Sequence, residues 1–227
     1  MEDGFKIVIV DTNSESGRKL AKKKPSRIIY FNIDITNLQQ VSEFFEKIKT
    51  KKINIDHCIN LAGGARKQEF KGLENLDNTE IMESINLNLS SQILFAKAVI
   101  PFMKESSSDN KSISFISSIN AIKDFGLPAY SASKAGLLGI TKTLSAELGI
   151  YDIRVNCILP GTVLTNKTLT EPKKYEEYVK GSLLGRFAST EEIAEVVFCV
   201  STKLTCITGQ KIIADCGQSV KGNYENY

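Results

Sequence analysis

The sequence predicts an α/β fold in which a doubly wound parallel sheet is covered by helices on both faces. Short runs of β-branched and aromatic residues alternate with longer segments whose apolar residues recur at helical spacing. This alternation is typical of parallel strands that are joined by right-handed helical crossovers. With 227 residues, 42% of them hydrophobic, the chain is long enough for one domain with a full core, which we place at 1–227.

The predicted elements follow one another in a regular order. Strands are predicted at 5–10, 27–31, 53–60, 112–117, 153–158 and 211–214. Helices are predicted after the first strand up to Lys24, from Leu38 to Ile48, over 79–104 as one long helix, behind Pro128 and over about 190–200. Polar or glycine-containing positions fall at the carboxyl ends of the strands, where ligands of such sheets bind: Asp11, Asp34, Asn60, Gly63, Ser118, Pro160 and Gly161.

Composition argues against several classes of protein. The net charge is +3, and the lysine clusters at 22–24 and 49–52 have no interleaved aromatic residues, so we expect no nucleic-acid partner. No apolar run reaches the roughly 18 residues of a membrane span, and the acidic start is unlike a signal peptide. The five cysteines are scattered, which favours a reducing, cytoplasmic location, and a single histidine gives no support to a metal site.

Tyr130 and Lys134 stand four residues apart in a segment that Pro128 opens as a helix. They therefore share one helix face, about one turn from each other. A free phenol has a pKa of about 10 and is a poor acid or base at neutral pH. Because a nearby cation favours the phenolate, Lys134 is expected to lower the pKa of Tyr130 toward working pH. The pair alone is also compatible with a half-buried tyrosine and a solvated lysine on an amphipathic helix.

Several short motifs follow one another along the chain. They are Asn60-Leu61-Ala62-Gly63, Asn86-Leu87-Asn88-Leu89, Ser117-Ser118-Ile119-Asn120, Tyr130-Ser131-Ala132-Ser133-Lys134, Arg154-Val155-Asn156 with Pro160-Gly161-Thr162-Val163, and Leu184-Gly185-Arg186-Phe187 with Ile207-Thr208-Gly209-Gln210. In type and order these motifs resemble the short-chain dehydrogenase/reductase family over nearly the whole chain. The resemblance implies a Rossmann-like fold and an oxidoreductase that uses a nicotinamide cofactor.

The resemblance also implies catalytic roles. Tyr130 would be the general acid or base at the substrate oxygen, and Ser118 would hydrogen-bond the same oxygen. Lys134 would depress the tyrosine pKa and bind the nicotinamide ribose, while Asn88 would hold a water in a proton relay. Ser117 remains the alternative to Ser118. A local turn for Ser118 and a packing role for Asn88 are the structural alternatives.

Cofactor contacts are implied in the same way. Asp11, at the end of its strand, would accept hydrogen bonds from the adenosine ribose, which favours NAD over NADP because a carboxylate repels a 2′-phosphate. Capping of the next helix is the alternative role of Asp11. Asp34 and Ile35 would contact the adenine. The remaining cofactor-binding positions are Asn60, Ala62, Gly63, Tyr130, Lys134, Pro160, Gly161, Val163 and Thr165.

One part of the family pattern is missing. The first strand and its Thr-Gly-x-x-x-Gly-x-Gly turn, which cradle the pyrophosphate, have no counterpart, and the chain resembles a doubly wound sheet without its first βα unit. That strand would lie beside both residues 5–10 and residues 56–60, so we expect an unpaired edge at each. Either the chain is a shortened form of an ordinary enzyme, or it is a non-catalytic subunit that binds cofactor poorly.

We therefore expect an NAD(H)-dependent oxidoreductase acting on a small alcohol or carbonyl compound. An NADPH-using 3-oxoacyl-carrier-protein reductase shares these motifs and is the alternative within the enzyme class. The resemblance implies a homodimer or homotetramer, formed through the helix that carries Ala135, Gly136 and Gly139. The substrate would be gripped by the loop after Gly63, the segment near Asn120 and residues 165–185.

Overall fold

The computed structural model describes residues 4–165 and 179–220. The strands are β1 (Ile7–Asp11), β2 (Ile28–Asn32), β3 (His57–Asn60), β4 (Lys111–Ile116), β5 (Ile153–Pro160), β6 (Val163–Leu164), β7 (Ala188–Ser189) and β8 (Lys211–Ala214). The helices are α1 (Ser14–Lys23), α2 (Leu38–Thr50), α3 (Asn78–Ile85), α4 (Ser91–Glu105), α5 (Pro128–Leu148) and α6 (Thr190–Phe198). Strands and helices alternate, which confirms the predicted α/β class.

All strand pairs in these two ranges are parallel. The main sheet has the order β3-β4-β5-β8, and every residue of β4 and β5 is buried because helices cover both faces. β1 and β2 form a separate two-stranded sheet, and β6 pairs with β7 in another. In the described part of the chain, β1 and β3 therefore each have one unpaired edge, and Ile59 of β3 is 47% exposed. We call the gap between the unpaired edges of β1 and β3 the seam. The absence of the family's first strand from the sequence predicted it.

The aromatic residues of α2 and α4 hold the two sheets to a common core. The Phe44 ring lies 5.9 Å from Phe95, and the Phe45 ring lies 5.2 Å from Phe102, measured between ring centroids. Val8, Val10 and Phe31 of the small sheet pack against the same buried cluster as Phe115 of β4. These rings therefore bury apolar area between the two sheets.

Phe5 makes a further contact across the seam. Its ring lies 5.7 Å from His57, the first residue of β3, and 6.0 Å from Phe198 at the end of α6, both edge-on. Phe5, two residues before β1, therefore packs against the main sheet at the amino ends of the strands. The carboxyl ends, where the predicted site lies, have no such contact described between β1 and β3.

Two boundaries differ from the sequence prediction. β3 begins at His57 and not at Ile53, because the Ile53 amide donates to the Ile48 carbonyl at 3.1 Å and belongs to the turn that closes α2. The helix predicted over 79–104 is interrupted by a π turn at Asn86–Ser90, between α3 and α4. The apolar spacing continues through this turn, so the sequence pattern does not reveal it.

Candidate active site

Tyr130 and Lys134 lie in the first two turns of α5, which Pro128 opens. The Lys134 Nζ lies 5.6 Å from the centroid of the Tyr130 ring, and Lys134 is 3% exposed. Ser118, which follows β4, hydrogen-bonds the Tyr130 side chain and thereby lowers its pKa. The tyrosine is half-buried, as the alternative interpretation had it, but the solvated lysine of that interpretation is wrong, because Lys134 is buried.

The pKa of Tyr130 does not follow the sequence-based expectation. Burial raises the pKa of the phenol above its ordinary 10.0, and the charge of Glu69 acts in the same direction. Lys134 does not offset this effect; its Nζ donates to the Ile116 carbonyl at 2.8 Å. Burial also lowers the pKa of Lys134 to about 8, because a desolvated ammonium group loses its proton more readily. Lys134 can thus exchange a proton near neutral pH.

Asn88 reaches the same place from the π turn. It is fully buried, whereas Asn86 is exposed, which agrees with the choice of Asn88 from the motif. Its Oδ1 accepts the Gly64 amide at 2.8 Å, and its Nδ2 donates to the Ser84 carbonyl at 3.0 Å. A π turn displaces side chains from the regular helical register, and such turns recur at functional sites.

Gly63 leaves open the space between Asn88 and Lys134. A Cβ at this position would lie 2.6 Å from Asn88 Oδ1 and 3.4 Å from Lys134 Nζ, and the backbone has a φ of +141°. Only glycine therefore fits here. Because Gly63 has no side chain, its backbone, the Asn88 amide and the Lys134 ammonium group surround one small space, which we call the cradle.

Ser117 and Ser118 differ in what they bind. The Ser117 hydroxyl donates to the Lys134 carbonyl at 2.8 Å and so supports the backbone of α5. The Ser118 hydroxyl lies against the phenol and donates to Asn120 Oδ1 at 3.0 Å. It also accepts the Asn120 amide, so the local turn considered above coexists with the contact to Tyr130. The geometry favours Ser118 over Ser117 as the residue beside the reacting oxygen.

The predicted adenosine contacts lie on the small sheet and its following loop. Asp11 is exposed at the end of β1, and its Oδ1 accepts the Asn13 amide at 2.8 Å, next to the start of α1. Asp34 Oδ1 accepts both the amide and the hydroxyl of Thr36, at 2.9 and 2.7 Å. Ile35 is 9% exposed and packs in the main core. The side chains of Asp34 and Ile35 are therefore used within the chain, and the Asp11 carboxylate, although it also accepts a backbone amide, is exposed to solvent.

Asn60 is the last residue of β3, and Ala62 lies in the loop that follows it. Asn60 is 5% exposed, and its Nδ2 is buried without a hydrogen-bond partner in the described residues. The Ala62 carbonyl accepts Gln92 Nε2 at 2.5 Å, which ties the loop to α4. A buried amide hydrogen without an acceptor is costly and points to a group that binds there.

The loop after β5 is fastened from the far end of the chain. Gln218 Oε1 accepts the Thr162 amide at 2.6 Å, and the Gln218 carbonyl accepts Lys123 Nζ at 2.8 Å. Gly161 packs so closely that a Cβ would lie 2.9 Å from the Asp215 Cα. Pro160 is the buried last residue of β5, Val163 begins β6, and Thr165 is exposed at the end of the first described range.

The residues Gln218 and Glu69 were missed by the sequence reasoning. Gln218 lies in an irregular segment after β8 with no periodic pattern, and Glu69 is one acidic residue among several in a polar loop. A carboxylate whose environment is buried is not distinguishable in sequence from one in solvent. Residues 165–185 were predicted to grip the substrate, and 166–178 of them lie outside the described residues.

The residues present fit one half of a nicotinamide dinucleotide. The open cradle at Gly63 and the orphaned amide of Asn60 fit a polar group beside Lys134 and Tyr130. The phosphate half is different: in the described residues, the helix that follows β1 is capped by the Asn13 side chain, which accepts the Ser16 amide at 3.0 Å. No glycine-rich turn opens that helix.

Comparisons with known proteins find relatives over nearly the whole chain. A family model described as enoyl-(acyl carrier protein) reductase matches residues 1–219. The 3-oxoacyl-[acyl-carrier-protein] reductase of Thermotoga maritima is 33% identical over 224 residues, covering 95% of this chain and 88% of that protein. The 7alpha-hydroxysteroid dehydrogenase of Bacteroides fragilis is 29% identical over 232 residues, covering 97% of this chain and 87% of that protein.

A solved structure extends the likeness to three dimensions. The crystal structure described as ribose-5-phosphate isomerase from Brucella melitensis superposes with a TM-score of 0.88, covering 98% of this chain and 86% of that chain. Its sequence is 24% identical, so the likeness concerns the fold alone. Among the described residues, no helix has the length and apolar character needed to cross a membrane.

Proposed function

The chain belongs to the short-chain dehydrogenase/reductase family of oxidoreductases, and on that premise we propose that it transfers a hydride between NAD(H) and a small alcohol or carbonyl compound, with Tyr130 as the general acid/base. Members of the family use a nicotinamide cofactor and act on small molecules. The observation that carries the proposal is the meeting at one site of four side chains from three segments, the turn after β4, α5 and the π turn: Ser118, Tyr130, Lys134 and Asn88.

The roles follow from what each side chain can do. The cofactor, when bound, supplies or accepts the hydride. Tyr130 gives its phenolic proton to the substrate oxygen in the reduction and takes it back in the oxidation. Ser118 turns its hydroxyl from Asn120 to the same oxygen and stabilises the charge that develops there.

Proton supply would run along Lys134 and Asn88. With its pKa lowered to about 8 by burial, Lys134 can give and regain a proton near neutral pH without a large free-energy cost. The Asn88 amide lies on the other side of the Gly63 cradle and would hold the water that links Lys134 to solvent. The structural alternative, a packing role for Asn88, accounts for its burial but not for the glycine beside it.

Asp11 supports NAD over NADP as the cofactor. It is exposed at the carboxyl end of β1, where its charge would accept ribose hydroxyls and repel a 2′-phosphate. Lys134 and Tyr130 would hold the nicotinamide ribose, and the Pro160–Gly161 loop would bound the ring. Asp34 and Ile35 remain proposed as neighbours of the adenine, through their backbone because their side chains are used within the chain.

The substrate would enter from the side of Asn120. A cleft of about 380 Å³ opens there, between the turn after β4 and the start of α5. It is lined by Asn120, Ala121, Ile122, Lys123, Asp124, Gly126, Pro128 and Ser131. The Asn120 Nδ2 is buried without a partner in the described residues and is available to a polar group of the substrate.

Replacing Tyr130 tests the proposal. Tyr130→Phe keeps the ring and removes the proton, so turnover of acetoacetyl coenzyme A and of a set of simple ketones and secondary alcohols should fall by about 10²–10⁴. Tyr151→Phe, a change at an exposed tyrosine, is the matched control and should keep the parent rate. Equal rates for the parent chain and Tyr130→Phe would contradict the proposal and support a non-catalytic binding subunit.

A second candidate is a 3-oxoacyl-carrier-protein reductase that uses NADPH. The relative from Thermotoga maritima, which carries this name, favours it. Comparing NADH with NADPH on acetoacetyl coenzyme A separates the two, since the first reading requires a preference for NADH and the second for NADPH.

Assembly and location are proposed on separate grounds. We propose a homodimer or homotetramer in which α5 presents Ala135 and Gly139, both exposed. Gly136 is no longer part of this surface, because its Cα faces Leu89 within the chain. A cytoplasmic location is supported by five free cysteines.

A further inference from the structure

We propose that Glu69 is a positioning residue that fixes the first turn of α5, and with it Tyr130, for the chemistry of the active site. The inference rests on the proposed function of that site. Glu69 does not touch the cradle at Gly63; it acts through the backbone of Tyr130. This role is not predictable from a local pattern, because Glu69 is 61 residues away from Tyr130 along the chain.

Glu69 is a buried carboxylate with two defined partners. It lies in a short 3₁₀ turn, Lys67–Lys71, and is 1% exposed. Its Oε1 accepts the Ser84 hydroxyl at 2.7 Å, and its Oε2 accepts the Tyr130 amide at 2.7 Å. A carboxylate is almost never buried this deeply unless other groups bind it, because its desolvation costs several kcal/mol.

The start of α5 needs an outside acceptor. Leu127 occupies the cap position with a φ of 61°, and its side chain makes no capping hydrogen bond. Pro128 has no amide hydrogen, and the Ser131 amide reaches the Leu127 carbonyl at 2.8 Å. The Tyr130 amide belongs to the first turn, which lacks acceptors inside the helix. Glu69 therefore supplies from a distant loop what a cap residue normally supplies, and it places a negative charge at the positive end of the helix.

The same carboxylate connects Tyr130 with Asn88. Ser84, which donates its hydroxyl to Glu69, also accepts Asn88 Nδ2 through its carbonyl at 3.0 Å. Asn88 in turn binds the Gly64 backbone beside the cradle. One continuous set of hydrogen bonds therefore runs from the tyrosine backbone through Glu69 and Ser84 to the asparagine. A shift of the Glu69 turn would move both residues together.

The charge of Glu69 is also felt by the phenol. It raises the pKa of Tyr130, after burial, while the hydrogen bond from Ser118 lowers it. On the helix of the phenol, the charged group described against its ring is Lys134, whose Nζ lies 5.6 Å from the ring centroid. The charged residues of α3 that face the Glu69 turn, Glu80 and Glu83, pair with Lys71 and Arg66. Removing the Glu69 charge should therefore lower the pKa of the phenol.

Two readouts test the proposal without any turnover. In the full chain labelled with ¹³Cζ-tyrosine, the resonance lost in Tyr130→Phe identifies the phenol, and its titration is compared between parent and Glu69→Gln. Hydrogen exchange of the Tyr130 amide is compared between parent and Glu69→Leu. We expect a lower phenol pKa in the first variant and faster exchange in the second. The proposal requires both changes, and the absence of either one overturns it.

Controls separate a local effect from general loss of charge or fold. Glu74→Gln removes the same charge from an exposed position in the neighbouring turn and should leave both readouts at the parent values. If Glu69→Leu does not fold, Ser84→Ala takes its place: it keeps the charge but frees Glu69 Oε1, and exchange of the Tyr130 amide should again be faster. Unchanged exchange in Ser84→Ala overturns the proposal in that case.

Kinetics give a third, separate arm. With acetoacetyl coenzyme A and NADH, Glu69→Leu should lose about 100-fold in kcat, the loss that a misplacement of about 1 Å can cause, with little change in the KM for NADH. An unchanged kcat in an active parent overturns the proposal. A parent without turnover is a failure of the proposed function and leaves the titration and the exchange to decide the role of Glu69.

Discussion

Lys134 carries an ammonium group into a place that is nearly closed to solvent. It is 3% exposed, and its Nζ is held by the Ile116 carbonyl at 2.8 Å. Burial lowers its pKa from an ordinary 10.5 to about 8, so the folded chain binds this proton less well than the unfolded chain does. The residue that gives the site its proton exchange therefore also reduces the stability of the fold at neutral pH.

The pH dependence of stability should reveal this cost. Below about pH 8 both states hold the proton and the cost is full; between 8 and 10.5 the unfolded state holds more protons, so stability rises with pH; above 10.5 the cost is gone. A pKa lowered from 10.5 to about 8 corresponds to about 3 kcal/mol. Relative to Lys134→Met, the parent chain should gain about that much between pH 8 and 10.5, measured by urea unfolding.

The comparison needs a control because other groups titrate in the same range. Lys142→Met, an exposed lysine on the same helix, should follow the parent curve at every pH. Parallel curves for the parent and Lys134→Met would show that the folded chain does not lower the pKa of Lys134.

At the scale of single residues, the sequence predicted which side chains meet but not their electrostatics. The motif order picked Ser118 and Asn88 among near neighbours, and the structure brings both to the cradle. The direction of the Tyr130 pKa was wrong, because spacing along a helix shows that Lys134 is near but not that the phenol is buried beside Glu69. Burial is a property of the whole fold.

The π turn between α3 and α4 places Asn88, and α5 packs directly against it. A Cβ on Gly136 would lie 2.9 Å from the Leu89 side chain, so the two helices touch at this glycine. Gly139, one turn further along α5, has no atom within 4 Å of a Cβ position. The two glycines therefore differ in environment while sharing one helix.

Alanine at these two positions forms a matched pair. In a helix interior alanine is more favourable than glycine by about 1 kcal/mol, so Gly139→Ala should raise the free energy of unfolding by about that amount. Gly136→Ala gains the same helix preference but must push Leu89 and the π turn away, so it should be destabilised relative to Gly139→Ala by about 1–3 kcal/mol and lose turnover. Urea unfolding and the acetoacetyl coenzyme A assay measure both effects.

A stabilised and fully active Gly136→Ala would show that the π turn can move without consequence. A Gly139→Ala chain that loses stability together with its oligomeric state, seen by light scattering, would place Gly139 at a subunit contact and so support the proposed assembly.

At the scale of elements, long periodic segments were predicted well and short irregular ones were not. The spacing of Val41, Phe44, Phe45 and Ile48 predicted α2, and all four are buried. The π turn at Asn86–Ser90 keeps the same apolar spacing as a regular helix and is invisible to it. β6 and β7 have two residues each and depend on each other, so no local pattern predicts them.

The whole molecule is organised around the seam between β1 and β3. β1 is apolar up to its last residue, and β3 carries Cys58 and Ile59 between two polar residues. Each strand pairs on one side only in the described residues, and Ile59 is nearly half exposed. The family resemblance predicted this seam from one absent motif, and the sheet order agrees. Contacts across it run through the aromatic residues of α2 and α4 and through Phe5. An unpaired edge of this kind is also a site for unwanted pairing with other chains.

From this seam we expect the 227-residue chain to be marginally stable and to bind NAD weakly. Two unpaired edges leave backbone groups and apolar side chains in water, and no glycine-rich turn is present among the described residues to receive the phosphates. Calorimetric titration with NAD and a thermal melt of the purified chain measure both properties. Micromolar affinity together with a sharp melting transition would contradict the expectation.

The seam also divides the proposed cofactor site between two bodies. Asp11 belongs to the small sheet, whereas Tyr130, Lys134 and Asn88 are anchored to the main sheet. A dinucleotide that reaches both must select the arrangement in which the sheets are docked, so its apparent dissociation constant is the intrinsic one divided by the docked fraction. The measured affinity for NAD would then report the fraction of molecules in which the two sheets are docked. Phe5 would influence NAD binding without touching the ligand, because it packs the small sheet against the main sheet.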